Sequence, residues 1–190
     1  MKYEEKSENL EQYDGWHDFL EGKEGRYAPL VGYFLIYFSV LEHSLNLSLA
    51  EILNERSHEI GYVVVEKLSV YDKIELFRKL YLRILSSQSK DGKDALAVIR
   101  TRLEEMNTFR NILAHANWST IDAVGFVRTK IKVDPDEGHI TFKNIKITRD
   151  IIQTQTNEVR RLSSDLDKFA EKAREWGFKK KIKRVKNKKL

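Results

Sequence analysis

The chain contains no cysteine, which excludes disulfides, thiolate metal sites and a cysteine nucleophile. Proline (2) and glycine (9) are scarce among 190 residues. That scarcity favours long helices over a many-turned sandwich or barrel. A long hydrophobic run is missing too: the most apolar stretch, LVGYFLIYFSVL at 30–41, falls short of the about 20 residues a membrane span needs. The opening MKYEEKSENLEQYDGW has neither the basic nor the apolar region of a signal peptide, so a cytoplasmic protein with no membrane attachment is expected. With 41% hydrophobic residues the chain can bury one sizeable core, and one domain with appendages is expected.

Charge is unevenly spread. The net +5 comes from the last twelve residues, KKKIKRVKNKKL, which hold eight basic residues and no acid; the rest has 26 basic against 29 acidic residues, a net −3. Such a run repels itself and is expected to be disordered. Lys179, Lys180, Lys181, Lys183 and Arg184 could hold a polyanion such as RNA through phosphate contacts; a solvated tail with no partner accounts for them equally well.

Helical periodicity starts at residue 28. Leu30, Phe34, Tyr37, Leu41, Leu45, Leu49 and Ile52 recur at three- and four-residue spacing, and Val31, Leu35 and Phe38 widen the stripe. Ser69 followed by Asp72 predicts the capped start of a second helix, ended by SSQSKDG at 86–92. A third helix is predicted from about Lys93 to His115. Its seam, Leu96, Ile99, Leu103, Met106 and Leu113, puts Arg110 between the last two. A buried guanidinium is costly unless paired, so Arg110 should be paired, held in a wet cleft or placed at an interface.

After Trp118 the period drops to about two. VGFVRTKIKV (124–133) and HITFKNIKI (139–147) flank DPDEG and predict a β-hairpin. Arg128, Lys130 and Lys132 alternate onto one face, either a protected edge or a phosphate-contacting surface, the former slightly favoured. A last helix is predicted from Thr148 to about Trp176, with Gly177 as its stop. The expected architecture is mainly α: a helical bundle of four to five helices over 28–178, with the hairpin (about 123–147) inserted before the last long helix. Residues 1–27 form a lead-in, either a short helix or extended, and 179–190 the basic tail.

Several chemistries fall away. His58-Glu59 begins a zinc motif whose second histidine position is Tyr62, and Asp134, Asp136 and Glu137 are explained by a turn. His17, His43 and His139 have no companion at ligand spacing, so neither a metal nor another cofactor is expected. FRNILAHANW at 109–118 remains. Asn111 and His115, four apart, share a helical face, and Arg110 can reach round the helix toward a phosphate held beside the histidine. An imidazole exchanges a proton near neutral pH, and a guanidinium clamps phosphoryl oxygens. That is the minimum for metal-free RNA cleavage by the ribose 2′-hydroxyl. The plainer alternative pairs Arg110 with an acid, Glu42 being the candidate, and leaves Asn111 and His115 as helix-end caps.

The segment Arg110-Asn111-Ile112-Leu113-Ala114-His115 resembles the Arg-x4-6-His motif of the HEPN superfamily, in which asparagine often follows the arginine. The segments FLIYFSVLEHSLN (34–46) and DKIELFRKL (72–80) precede it in a similar order. The likeness covers about residues 28–118, and the last helix completes the bundle. The position two after the histidine, tyrosine in some subfamilies, is Asn117. The resemblance implies a HEPN-like helical bundle and a homodimer in which two motifs meet in a composite cleft. It also implies a metal-independent endoribonuclease, often a toxin or antiviral-defence effector, that a protein antitoxin could hold in check. Arg110 and His115 would then be catalytic and Asn111 would orient the site or bind phosphate. Glu42 could face the motif as a supporting residue. Some relatives of this kind are inactive dimerisation or binding modules, so a non-catalytic module binding RNA or a nucleotide is the alternative function.

Overall fold

A computed structural model of the chain describes residues 3–9, 24–54, 58–85 and 90–187. The chain is mainly helical, with five α-helices and a three-stranded antiparallel sheet among the described residues. The elements in order are β1 (Glu5–Asn9), α1 (Glu24–Leu53), α2 (His58–Glu66), α3 (Val70–Leu85), α4 (Lys90–His115), β2 (Phe126–Val133), β3 (Ile140–Lys146) and α5 (Arg149–Asn187). A 3-10 turn, Trp118–Thr120, lies between α4 and β2. Two compact units emerge: Met1–Ile36 with Thr108–Asn157, which holds the sheet, and Tyr37–Asn107 with Glu158–Leu190, which is a helical bundle.

In the bundle unit the apolar rows of the helices are buried together. Phe38, Leu41, Leu45 and Leu49 of α1, Ile74, Phe77 and Tyr81 of α3, Leu96, Ile99 and Leu103 of α4, and Leu162, Leu166 and Phe169 of α5 are each at most 6% exposed. By length and composition alone α1 could cross a membrane, and only 22% of its apolar window is buried; Phe38, Leu41, Leu45 and Leu49 form its buried row, while Tyr33, Ile36 and Val40 are exposed. The rings of Phe77, Tyr81 and Phe169 form a cluster with centroids 4.4, 5.2 and 6.0 Å apart. Tyr81 shares a 2.7 Å hydrogen bond with Ser48, and burial pushes its hydroxyl up to about 12. The phenol is therefore neutral at any physiological pH and serves packing. Around this core, Arg102 spans Glu158 (2.7 Å) and Asp165 (2.8 Å), and Arg174 meets Glu51 at 2.9 Å.

The predicted cap at Ser69 is present: its hydroxyl accepts the Asp72 N–H at 3.2 Å and donates to the Asp72 carboxylate at 2.6 Å. Sequence periodicity had no sign of α2, a nine-residue helix whose Ile60, Val63 and Val64 are exposed. Its inward side carries Gly61 against Ala50 of α1: a Cβ there would stand 2.5 Å from the Ala50 Cα and 2.6 Å from its carbonyl oxygen. Helix propensity favours alanine over glycine by about 1 kcal/mol, but backbone atoms cannot rotate away and overpacking costs about 1–3 kcal/mol. Gly61→Ala should therefore lower the denaturant midpoint; an increase would refute the close approach of α2 to α1.

In the sheet unit the predicted hairpin forms, and β1 joins it on the far side of β3, giving the order β1-β3-β2. The lead-in read as a short helix or extended segment is thus, over Glu5–Asn9, a strand in register with Thr141–Ile145; residues 10–23 lie outside the described residues. The charges explain its partner. Lys143 meets Glu5 and Lys146 meets Glu4, each at 2.8 Å, so an acidic strand lines a basic one. The turn 134–139 closes on itself: the Asp134 carboxylate accepts the N–H groups of Asp136 (2.9 Å) and Glu137 (3.0 Å), and Gly138 takes a φ of +70° that glycine tolerates without strain.

Two expectations need correction. A bulge between Arg128 and Lys130 shifts the register, so Arg128 lies opposite Asn144 while Lys130 and Lys132 lie opposite Lys143 and Thr141. One extra residue turns the strand over, so Arg128 does not share a face with the two lysines; its guanidinium stacks 3.8 Å from the Phe142 ring centre instead. The last helix also runs on past Gly177 to Asn187. One glycine in a helix interior costs only about 1 kcal/mol, and the lysines that follow are good helix formers.

Candidate functional site

The site is the C-terminal end of α4, within the sheet unit. Arg110 and Asn111 lie in its last two turns and His115 is its final residue. Asn111 and His115 are exposed, and Arg110 is half-buried. The buried row along α4 runs through Met106, Phe109 and Leu113, at 2%, 0% and 1% exposure. Phe109 therefore occupies the seam position that spacing had assigned to Arg110, because the row steps by three before it steps by four. Arg110 is thus displaced from the buried row and half-buried, on the same helix end as exposed Asn111 and His115.

What fixes this helix end was not visible in the motif itself. The Phe109 ring stacks on Tyr3 (centroids 5.9 Å, 14° between planes) and meets Phe34 of α1 edge-on at 5.0 Å. Just past His115, the Trp118 indole N–H donates 2.9 Å to the Leu113 carbonyl, one of the orphan acceptors of a helix C-terminus. The Trp118 ring packs on Tyr27 at 5.6 Å. Asn117 then joins the sheet: its N–H donates 2.8 Å to the Arg128 carbonyl, and the Arg128 N–H donates 3.0 Å to the Thr120 hydroxyl. The aromatic residues Phe109 and Trp118 flanking the motif were the available signal for these anchors.

Asp122 holds the next segment. One of its carboxylate oxygens accepts the N–H groups of Val124, Gly125 and Phe126 at 2.9, 2.8 and 2.9 Å, and the other accepts from the Lys6 ammonium at 3.1 Å. Burial pushes this carboxyl up, but the Phe126 and Val124 N–H groups and Lys6 outweigh it and hold the group below its usual 3.8. A carboxyl depressed in the folded state contributes stability that is fully present above the unfolded value and is lost as pH falls through the lower folded value. Asp122→Asn keeps an acceptor for the N–H groups and removes the titration. The variant should be less stable than wild type at neutral pH, and the gap should close as pH drops below 3.8. Acid titration of the denaturation midpoint checks this; a gap independent of pH would rule it out.

The other candidates are placed differently. Glu42 belongs to the bundle unit, where its carboxylate is 2.6 Å from Lys73, a side chain only 5% exposed. The α5 backbone carries Lys179, Lys180, Lys181, Lys183 and Arg184; their side chains, residues 188–190 and His17 lie outside the described residues. His139 lies 3.4 Å from Glu137 at the exposed hairpin tip, and His43 is exposed. Among the described residues no three histidine, aspartate or glutamate side chains converge as metal donors.

Chemically, the helix end offers a guanidinium, an amide and an imidazole within six residues. Two of them are open to solvent and all are mounted on a segment tied down at both ends. No protein family, curated protein or solved structure matches the chain.

Proposed function

We propose that the protein is a metal-independent endoribonuclease of the HEPN type, working as a homodimer in which two copies of the α4 end form one cleft. The observation that carries this reading is that exposed Asn111 and His115 and half-buried Arg110 all lie in the last two turns of the anchored α4. A phosphodiester lying along that end would meet all three groups.

In the proposed reaction, one His115 imidazole accepts the proton of the ribose 2′-hydroxyl as that oxygen attacks the adjacent phosphorus. The bond from phosphorus to the 5′-oxygen breaks, and the leaving oxygen takes a proton from the second copy's imidazolium. Arg110 clamps the non-bridging oxygens where charge develops, and Asn111 orients the phosphate. The products are a 2′,3′-cyclic phosphate and a 5′-hydroxyl. DNA lacks the attacking hydroxyl and is not cut.

The test is incubation of purified protein with a mixed RNA pool in EDTA, followed by analysis of the fragment ends. Cyclic phosphate ends formed in EDTA support the reading, and an absence of cutting removes it in favour of a non-catalytic RNA-binding or dimerisation module. Truncation after Gly177 removes eight basic residues and should weaken RNA binding at low salt. Counterion release makes that loss shrink as salt rises, which binding isotherms at two salt concentrations would show.

A further inference from the structure

We infer that the outer edge of β2 is a docking site for an extended acidic segment of a partner protein, which adds as a fourth strand. The first half of that edge is already closed. Residues 117–122 cover it through the Asn117 bond to the Arg128 carbonyl (2.8 Å) and the Asp122 bond to the Phe126 carbonyl (3.0 Å). Beyond Arg128 no strand or bridge among the described residues pairs with that edge. Residues 130–139 are all exposed, so the outer part of β2 and the hairpin tip are open to solvent. An open strand edge is a template for another chain.

The side chains select the occupant. Lys130 and Lys132 point to one face and make no ion pair among the described residues, while Ile131 and Val133 on the other face are 57% and 62% exposed. A merely protected edge would need the lysines but not two adjoining exposed aliphatic side chains. A strand alternating acidic and aliphatic residues satisfies both faces at once. The same hairpin already takes an acidic segment on its other side, where Glu5 of β1 meets Lys143 and the preceding Glu4 meets Lys146. A second copy of the chain fits poorly: two β2 edges paired antiparallel about Ile131 would set Lys130 opposite Lys132, a like-charge pair that destabilises.

The experiment titrates the isotopically labelled full chain with an end-blocked hexapeptide of alternating valine and glutamate, following backbone amides by NMR. The expected result is a set of shifts confined to residues 129–133 and their β3 partners. Lys130→Glu with Lys132→Glu, on exposed positions that leave the fold intact, should weaken binding at least tenfold. The same double variant should bind the matching valine–lysine peptide. N-methylation of the peptide's ladder-forming amides should abolish binding, since it removes the backbone bonds and keeps the charge. Binding indifferent to N-methylation would identify a simple polyanion surface and overturn the proposal. So would no binding at millimolar peptide, or concentration-dependent self-association through β2 in place of peptide capture.

Discussion

On the proposed ribonuclease reading, His115→Ala should lower RNA cleavage by about 10²–10⁴-fold, the usual contribution of a positioned proton-transfer group, with RNA binding and folding stability unchanged. The stability half of this expectation follows from position. His115 is the last residue of α4 and is exposed, so its removal leaves no cavity. Arg110 behaves differently from a generic cation. Arg110→Lys keeps the charge but loses the two-pronged clamp on phosphoryl oxygens, and it should cost about 10²–10³ in rate, as for loss of one donor to a developing oxyanion. Rates with a fluorogenic RNA, measured beside binding of an uncleavable 2′-deoxy analogue, separate chemistry from affinity. Equal cutting by wild type and His115→Ala would assign the activity to a contaminant and leave the binding module as the function to pursue.

The sequence exposed some features because their causes are local. The Ser69–Asp72 cap, the period-two runs around the 134–139 turn, and the Arg110, Asn111 and His115 triplet each depend on neighbours a few residues away. What escaped depends on distant partners. β1 is polar on both faces, and its reasons to be a strand are partners more than 110 positions later, among them Asp122, Lys143 and Lys146. α2 is too short to show a period and keeps most of its aliphatic residues outside; its place is set by Gly61 meeting Ala50. Arg110 was assigned to the seam because the row from Met106 to Leu113 can step by four then three, or by three then four. Only packing on Tyr3 and Phe34 selects Phe109. The place of Arg110, Asn111 and His115 on one helix end was thus legible while the packing that holds that end was not.

That packing leads to the second large effect. Phe109 has no exposure and sits between the Tyr3 ring at 5.9 Å and the Phe34 ring at 5.0 Å. Truncating such a phenylalanine to alanine loses the burial of the ring and leaves a cavity, at a cost of about 3–5 kcal/mol. Typical domains are stable by only about 5–15 kcal/mol, so Phe109→Ala removes a large share of what holds the fold, and Phe109→Leu, which fills most of the space, removes less. Because Tyr3 leads into β1, hydrogen exchange should accelerate together in β1 and in the last turn of α4, with α3 little affected. The two substitutions therefore pull apart two properties of one helix end. On the proposed reading, His115→Ala should leave the denaturation midpoint where it was and lower cleavage by about 10²–10⁴-fold, whereas Phe109→Ala should lower the midpoint and reduce cleavage only as far as the last turn of α4 frays. A Phe109→Ala protein with unchanged midpoint would mean that the aromatic stack does not hold the motif. The Trp118 bond to the Leu113 carbonyl, at 2.9 Å, would then have to supply the anchoring by itself.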